Sequence, residues 1–319
     1  MQQLLTPKLS VVVPVYGNEG SIPQLLAALS SIKEQVVGGF EAVFVVDGSP
    51  DLSYARLHEL LPGAGLDAQL ITLSRNFGAF PAIRVGLAHA KGDVIAVMAA
   101  DLQEPPELAL KFLEALCRGD HDIAMGIREA RADPGASKVA SAIFWALYRR
   151  FVMPDIPKGG VDIFALTKDA RDRLLMLNES NTSLLAQLFW IGGRRTFIPY
   201  ERQRREHGKS AWTLKKKLRY LSDSVFAFTD LPVRVLMAIG TLSLVAAVAL
   251  SALILAAKLS GLVAVPGYAG TMVTILFFGA LNSLGLGVVG AYAWRTFENT
   301  KARPLSIIQS QEQFKERSA

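Results

Sequence analysis

The sequence predicts an α/β unit, a mostly parallel sheet with helices on both faces, followed by interfacial helices and two C-terminal transmembrane helices. Three observations predict it. Short β-branched runs alternate with helical patterns through the first 125 or so residues, and polar, motif-rich loops follow the carboxyl ends of those runs. The apolar surplus of the 319-residue chain, 51% hydrophobic against 19% charged, is concentrated after position 230. Soluble domains carry roughly 25% charged residues, so part of this chain belongs in lipid.

Leu9 to Val15, Phe40 to Val46, Leu70 to Leu73 and Val94 to Met98 read as buried strands, because each is a short apolar run bounded by turn residues. A further strand is expected at about 122 to 125. Between them, Ile22 to Ile32, Leu52 to Leu61 and Ala79 to Ala90 place apolar residues at helical spacing. Strand and helix in this rhythm build a parallel sheet, and such sheets bind ligands outside the carboxyl ends of their strands. Pro14 to Gly20, Asp47 to Asp51, Ser74 to Gly78 and Asp101 to Pro106 each occupy such a position.

The membrane part follows from charge. Val235 to Ala257 is 23 residues without a charge, and Leu259 to Trp294 is 36 more, interrupted at Pro266 and Gly267. At about 1.5 Å per residue, 23 residues cover a hydrocarbon core of roughly 30 Å. Two spans are predicted, about 235–257 and 271–294, dividing the chain into a domain at 1–211, a basic juxtamembrane helix at 212–232, the span pair within 233–295 and a tail at 296–319. Arg234 precedes the first span and Arg295, Lys301 and Arg303 follow the second, while the connection holds only Lys258. The positive-inside bias then puts the domain and both termini on the cytoplasmic face of a bacterial-type inner membrane.

The net charge of +6 is local: Arg194 to Arg219 carries ten basic and two acidic residues, +8, which leaves −2 elsewhere. That excludes a uniformly basic nucleic-acid binder and points to one cationic surface, for anionic membrane lipid or for phosphate. Lys215, Lys216, Lys217 and Arg219 lie directly before the first span, where each basic residue gains about 1 kcal/mol against anionic lipid. Lys138 to Val152, with Phe144, Trp145 and Tyr148, reads equally as interfacial or as an amphipathic core helix. Cys117 is the one cysteine, which excludes an intrachain disulfide and suits a cytoplasmic domain. MQQLLTPK lacks the apolar core of a signal peptide.

The four loops read PVYGNEG, VVDGSPD, SRNFGAF and MAADLQEPPEL. Together, in this order, they resemble glycosyltransferase family 2, with its GT-A fold for nucleotide sugars. RNFG before a helix, DLQ-x-PPEL, a late R-x-x-G-x-S loop before C-terminal membrane helices and the tail YAWRTFENTKARP resemble the polyprenyl-phosphate glycosyltransferases within it. The resemblance implies a nucleotide-sugar donor bordered by Pro14, Tyr16, Glu19, Asp47 and Asn76. It implies a divalent cation, Mg²⁺ or Mn²⁺, on Asp101 and Gln103. Arg128 and Arg131 in GIREAR correspond to arginines near phosphate, and a guanidinium matches phosphate with paired donors. On the acceptor side it implies Arg205, Lys209 and Ser210, with Asp162 nearby, holding a polyprenyl-phosphate lipid, and it suggests a homo-oligomer in the membrane.

Three positions depart from the pattern: acidic residues usual in the second and fourth loops are Val46 and Ala99 here, and Ala211 replaces a usual Lys after Ser210. The expected reaction is an inverting transfer of sugar to the lipid phosphate, whose second pKa near 6 leaves it largely ionised without a general base. Two other readings stay open: a non-catalytic nucleotide-sugar or lipid-binding regulator, motivated by Val46 and Ala99, and a processive polysaccharide synthase, which usually shows Q-x-x-R-W where Gln187 to Trp190 lacks the Arg. No G-x-G-x-x-G follows the first strand, which disfavours a dinucleotide oxidoreductase. His58, His89, His121 and His207 lack metal-ligand spacing.

Overall fold

The computed structural model describes residues 7–128, 146, 148–150, 153–157, 161, 163–202, 222–260 and 267–315. The chain divides into two compact units, Met1–Leu218 with Pro304–Ala319, and Arg219–Arg303.

The strands of the first unit are β1 (Leu9–Val15), β2 (Phe40–Val46), β3 (Ala68–Leu73), β4 (Val94–Val97), β5 (Ile123–Arg128), β6 (Phe164–Thr167), β7 (Arg195–Tyr200) and β8 (Ile308–Phe314). They form one sheet in the order β7-β5-β6-β4-β1-β2-β3-β8. Parallel pairing joins β1 to β2 and β4, β2 to β3, and β5 to β7. β6 is antiparallel to both β4 and β5, so those two run the same way. Every strand except β6 and β8 therefore ends at one edge. The expected α/β class and mostly parallel sheet are observed.

Both faces are covered. All seven residues of β2 are buried, as a strand between helical layers requires. On one face α1 (Ile22–Gln35) buries Ile22, Leu25, Leu26, Leu29 and Ile32, a helical stripe that shares a core with Val11, Val13, Phe44 and, from α4 (Glu107–Cys117), Leu108 and Phe112. α2 (Ser53–Leu60) adds Leu57 to that core. The other face carries α3 (Ala79–His89), which comes so close that a Cβ on Gly86 would stand 2.2 Å from Val12 Cγ1 and 3.3 Å from Val45 Cγ2. Two buried arginines fasten α3 to α5 (Lys168–Leu175) and α6 (Leu184–Trp190). Arg84 donates to the Leu174 carbonyl (3.2 Å), Gln187 Oε1 (3.3 Å) and Asn178 Oδ1 (3.3 Å), while Arg171 donates to the Leu87 and Ala90 carbonyls at 3.1 and 2.8 Å. Burial pulls the Arg84 guanidinium below its ordinary value.

The C-terminal segment corrects the expectation of a tail at 296–319. Ile308–Phe314 returns to the sheet and pairs antiparallel with β3. Tyr54 O–H donates to Glu312 Oε1 (2.7 Å), His58 Nε2 lies 3.1 Å from Glu312 Oε2, and the Thr72 and Ser310 hydroxyls meet at 2.6 Å. The sequence IQSQEQF hides this strand because its apolar content is low, as suits an edge that faces water.

The second unit holds α7 (Ser222–Phe228), α8 (Leu231–Leu259) and α9 (Tyr268–Thr300). At 29 and 33 residues, α8 and α9 exceed the roughly 20 that cover a hydrocarbon core. By length and composition among the described residues, Phe277–Thr300 qualifies as a span by itself, and Ser222–Phe228 with Leu231–Ser243 only as a pair bent by 80°. The two predicted spans thus find one such helix. Within this unit Arg295 pairs with Asp223 at 2.8 Å and lies 5.1 Å over the Phe226 ring.

Gly86→Ala forces its methyl into Val12, and overpacking of this kind costs about 1–3 kcal/mol. The expected outcome is a lower thermal midpoint in detergent, measured against Gly63→Ala, where a Cβ meets nothing within 4 Å.

Candidate active site

The carboxyl edge gathers the loops after β1, β2, β3 and β4, together with Arg128 at the end of β5 and the residues that follow β7. Arg128 and Tyr200 are register partners that close their strands side by side.

The first two loops are sewn together by their own carboxylates. Glu19 N–H donates to Asp51 Oδ2 (3.0 Å), and Leu52 N–H donates back to Glu19 Oε2 (2.9 Å). Gly17 N–H donates to Ser49 Oγ (2.8 Å), whose hydroxyl donates to Asp51 Oδ1 (2.6 Å), and Asn18 N–H reaches Ser53 Oγ at 3.1 Å. Glu19, expected at the donor, is therefore a fastener of the loop beside it. Tyr16 is 45% exposed at the mouth of this network, and Pro14 is half-buried in β1. Burial is the largest single influence on Asp51 and pushes its carboxyl up, but hydrogen bonds from Ser49, Ser53 and the Glu19 backbone together hold it below the ordinary 3.8.

Asp47 joins the second loop to the third. It is 3% exposed, with Oδ1 accepting Phe77 N–H (2.7 Å) and Oδ2 accepting Gly78 N–H (2.8 Å) at the start of α3. Burial pushes this carboxyl up, and the two backbone N–H groups and Arg75 pull the other way. The next residue must be glycine: Gly48 has φ 56°, and a Cβ there would stand 2.4 Å from the Arg75 carbonyl carbon and the Asn76 nitrogen. Asp47, expected at the donor, has both its oxygens on backbone N–H groups of the loop that carries exposed Asn76. Val46, the missing acid, is 3% exposed and packed in the core.

The fourth loop is strained. Leu102 adopts φ 52°, a left-handed conformation that costs a β-carbon residue of order 1–3 kcal/mol. It separates the half-buried Asp101 and Gln103, and Gln103 N–H donates to Asp101 Oδ1 at 3.3 Å. Ser21 Oγ–H donates to the Ala100 carbonyl (2.8 Å), which ties this loop to the start of α1. The Arg202 guanidinium, two residues beyond β7, donates to Gln103 Oε1. Among the described residues no group of three or more His, Cys, Asp or Glu converges on a cation. Asp101 offers a carboxylate and Gln103 a carboxamide oxygen, a donor set that fits a hard cation completing its shell with phosphate and water.

Arg131, Asp162, Arg205, Lys209 and Ser210 lie outside the described residues. Sequence reading missed Asp51 and Arg202. The signal for Asp51 was the S-P-D-x-S turn ahead of a helix; Arg202 had none, because its partner lies 99 residues away.

Asp51 contributes stability that is full above the ordinary 3.8 and is lost as pH falls through its lowered value. The thermal-midpoint advantage of wild type over Asp51→Asn is expected to be constant near neutrality and to shrink below about pH 4; melting curves from pH 7 to pH 3 in neutral detergent check it.

Residues 10–170 match the family model described as glycosyl transferase family 2. The chain is 31% identical over 303 residues to the uncharacterized glycosyltransferase YkcC of Bacillus subtilis (strain 168), covering 94% of this chain and 93% of that one. It is 30% identical to a prophage bactoprenol glucosyl transferase homolog of Escherichia coli (strain K12), covering 94% and 98%. Against an undecaprenyl-phosphate 4-deoxy-4-formamido-L-arabinose transferase of Sodalis glossinidius (strain morsitans) the identity is 31%, covering 95% and 93%. The GT-A-like sheet and its loops are those of a glycosyltransferase, and the chain belongs to glycosyltransferase family 2.

Proposed function

We propose that the protein transfers a sugar from a nucleotide-sugar donor to a polyprenyl phosphate, with inversion, at the cytoplasmic face of a membrane. The observation that carries this reading is the meeting of the Asp101–Gln103 loop with the residues after β7 at one sheet edge. The chain past Arg202 runs directly into the basic segment with Arg205 and Lys209, so a donor bound at the loops and a phosphate bound by that segment would share this edge. The relatives named for bactoprenol and undecaprenyl phosphate support a lipid acceptor.

Each group then has a task. Tyr16, Pro14 and Asn76 border the nucleotide, on loops that Glu19, Asp51 and Asp47 hold in place. Asp101 and Gln103 hold Mg²⁺ or Mn²⁺, which when bound neutralises charge building on the departing diphosphate. Arg128 and Arg131 contribute guanidinium donors to the same charge. Arg205, Lys209 and Ser210, with Asp162, receive the acceptor phosphate and hold its oxygen in line behind the anomeric carbon. That oxygen is already largely ionised, so alignment and charge suffice without a general base.

The pairing of β8 with β3 supports the topology. The chain leaves the first unit at Leu218 and re-enters it at Pro304, so a membrane segment between them has to cross an even number of times. A pair of spans within 233–295, both flanks cytoplasmic, satisfies this.

Purified protein incubated with polyprenyl phosphate and a panel of nucleotide sugars is expected to yield a lipid-phosphate-linked sugar by mass spectrometry with one donor. No product from any donor would reject the acceptor. Asp101→Ala is expected to lower transfer by about 10²-fold or more, with excess chelator reproducing the loss on wild type, and Gln103→Ala less. Full activity of Asp101→Ala would reject the metal role. Arg205→Ala and Lys209→Ala are expected to raise acceptor KM in neutral detergent while leaving donor binding, measured by calorimetry, nearly intact; an unchanged acceptor KM and kcat would return the segment to a membrane-facing surface.

A further inference from the structure

Beside the Asp101 carboxylate, Gln103 Oε1 is a side-chain oxygen that the fourth loop offers a divalent ion, and the Arg202 guanidinium donates to it. We propose that Arg202 is a positioning residue which occupies the Gln103 oxygen and has to leave it before that oxygen can serve a metal. This rests on the metal reading of Asp101 and Gln103 above.

Three features carry the inference. The loop is narrow: left-handed Leu102 and the Gln103 N–H to Asp101 Oδ1 bond hold the two residues in one short turn. The carboxamide oxygen has a second lone pair, but a divalent ion on it would stand within about 5 Å of the guanidinium, where like charges repel, so joint occupancy is disfavoured. The site is also short of negative charge, since Ala99 stands where an acid is usual and Asp101 supplies one carboxylate.

Arg202 is placed for this by topology. β7 is parallel to β5, so its carboxyl end lies on the edge where the fourth loop emerges, and Tyr200, buried in the core, anchors the strand end. From that anchor an exposed arginine two residues on reaches Gln103 across 99 positions of sequence. Once displaced, its guanidinium keeps its charge beside the diphosphate that accompanies the ion, and phosphate oxygens replace the carboxamide as its partner.

The test is Mn²⁺ binding to the full chain in neutral detergent, followed by electron paramagnetic resonance without any nucleotide. Arg202→Ala is expected to bind Mn²⁺ about two- to fivefold more tightly than wild type, the size of an exposed charged contact, with Arg202→Lys between. A gain in affinity does not arise from a damaged fold. The gain should vanish in a Gln103→Ala background, where the contested oxygen is gone. Equal or weaker binding by both Arg202→Ala and Arg202→Gln overturns the proposal, as does a gain that persists without Gln103, which would be a general charge effect. Asp101→Ala separates the two levels. Loss of Mn²⁺ by Asp101→Ala with no change in the Arg202 variants rejects Arg202 alone, whereas equal binding by Asp101→Ala and wild type rejects the metal site and the proposal with it.

Discussion

Parallel strands share a direction, and that single constraint arranges everything else at the site. A chain that leaves β1 at its carboxyl end must travel back along a helix before β2 can begin, so each carboxyl end is free to hold a loop. Four such loops, the end of β5 and the exit of β7 meet on one edge although they come from positions 16 to 202. Among the described strands only β6 and β8 run against the rest, so their amino ends face this edge, and the Ile307 carbonyl just before β8 accepts from Ser74 N–H of the third loop (2.9 Å). The sheet is thus a jig: its fully buried strands fix the spacing of the loops, and side chains of ordinary type acquire their roles from where the strands stop.

Spacing alone would leave those loops loose, and acidic side chains bind them to one another. Glu19 and Asp51 exchange backbone hydrogen bonds between the first and second loops, and Asp47 takes two from the third. Each is an acid whose carboxylate accepts backbone N–H donors from a neighbouring loop. Charge-assisted bonds of this kind are roughly twice as strong as neutral ones, so three carboxylates suffice to tie three loops together. Asp101 is different, since its loop is held instead by Ser21 and by the Leu102 turn.

Much of this was legible in the sequence, for identifiable reasons. β1 to β4 are legible because continuous apolar runs have few other uses, and the loop of Asp101 and Gln103 stands out because its motif directly follows one of them. Glu19 and Asp47 were found as residues that matter, yet their partners were not, because a backbone N–H has no letter in the sequence. β6 is four residues long, β7 carries an Arg and a Pro, and β8 is mostly Gln, Ser and Glu, so hydrophobic pattern could not flag them. Arg202 depends on register between distant strands, which only the folded sheet supplies.

The returning strand β8 sets an order in time. Translation delivers β1 to β7 first and the helical segment next, and the partner of β3 emerges last, with elongation at roughly 5–20 residues per second. During that interval the edge of β3 is an open template for another chain. Closure requires Ile308–Phe314 to come back to β3 after the helical segment has been made. The sheet is sealed by residues made after the helices, so a chain cut short anywhere ahead of Ile308 would carry every loop of the site and still leave the β3 edge open.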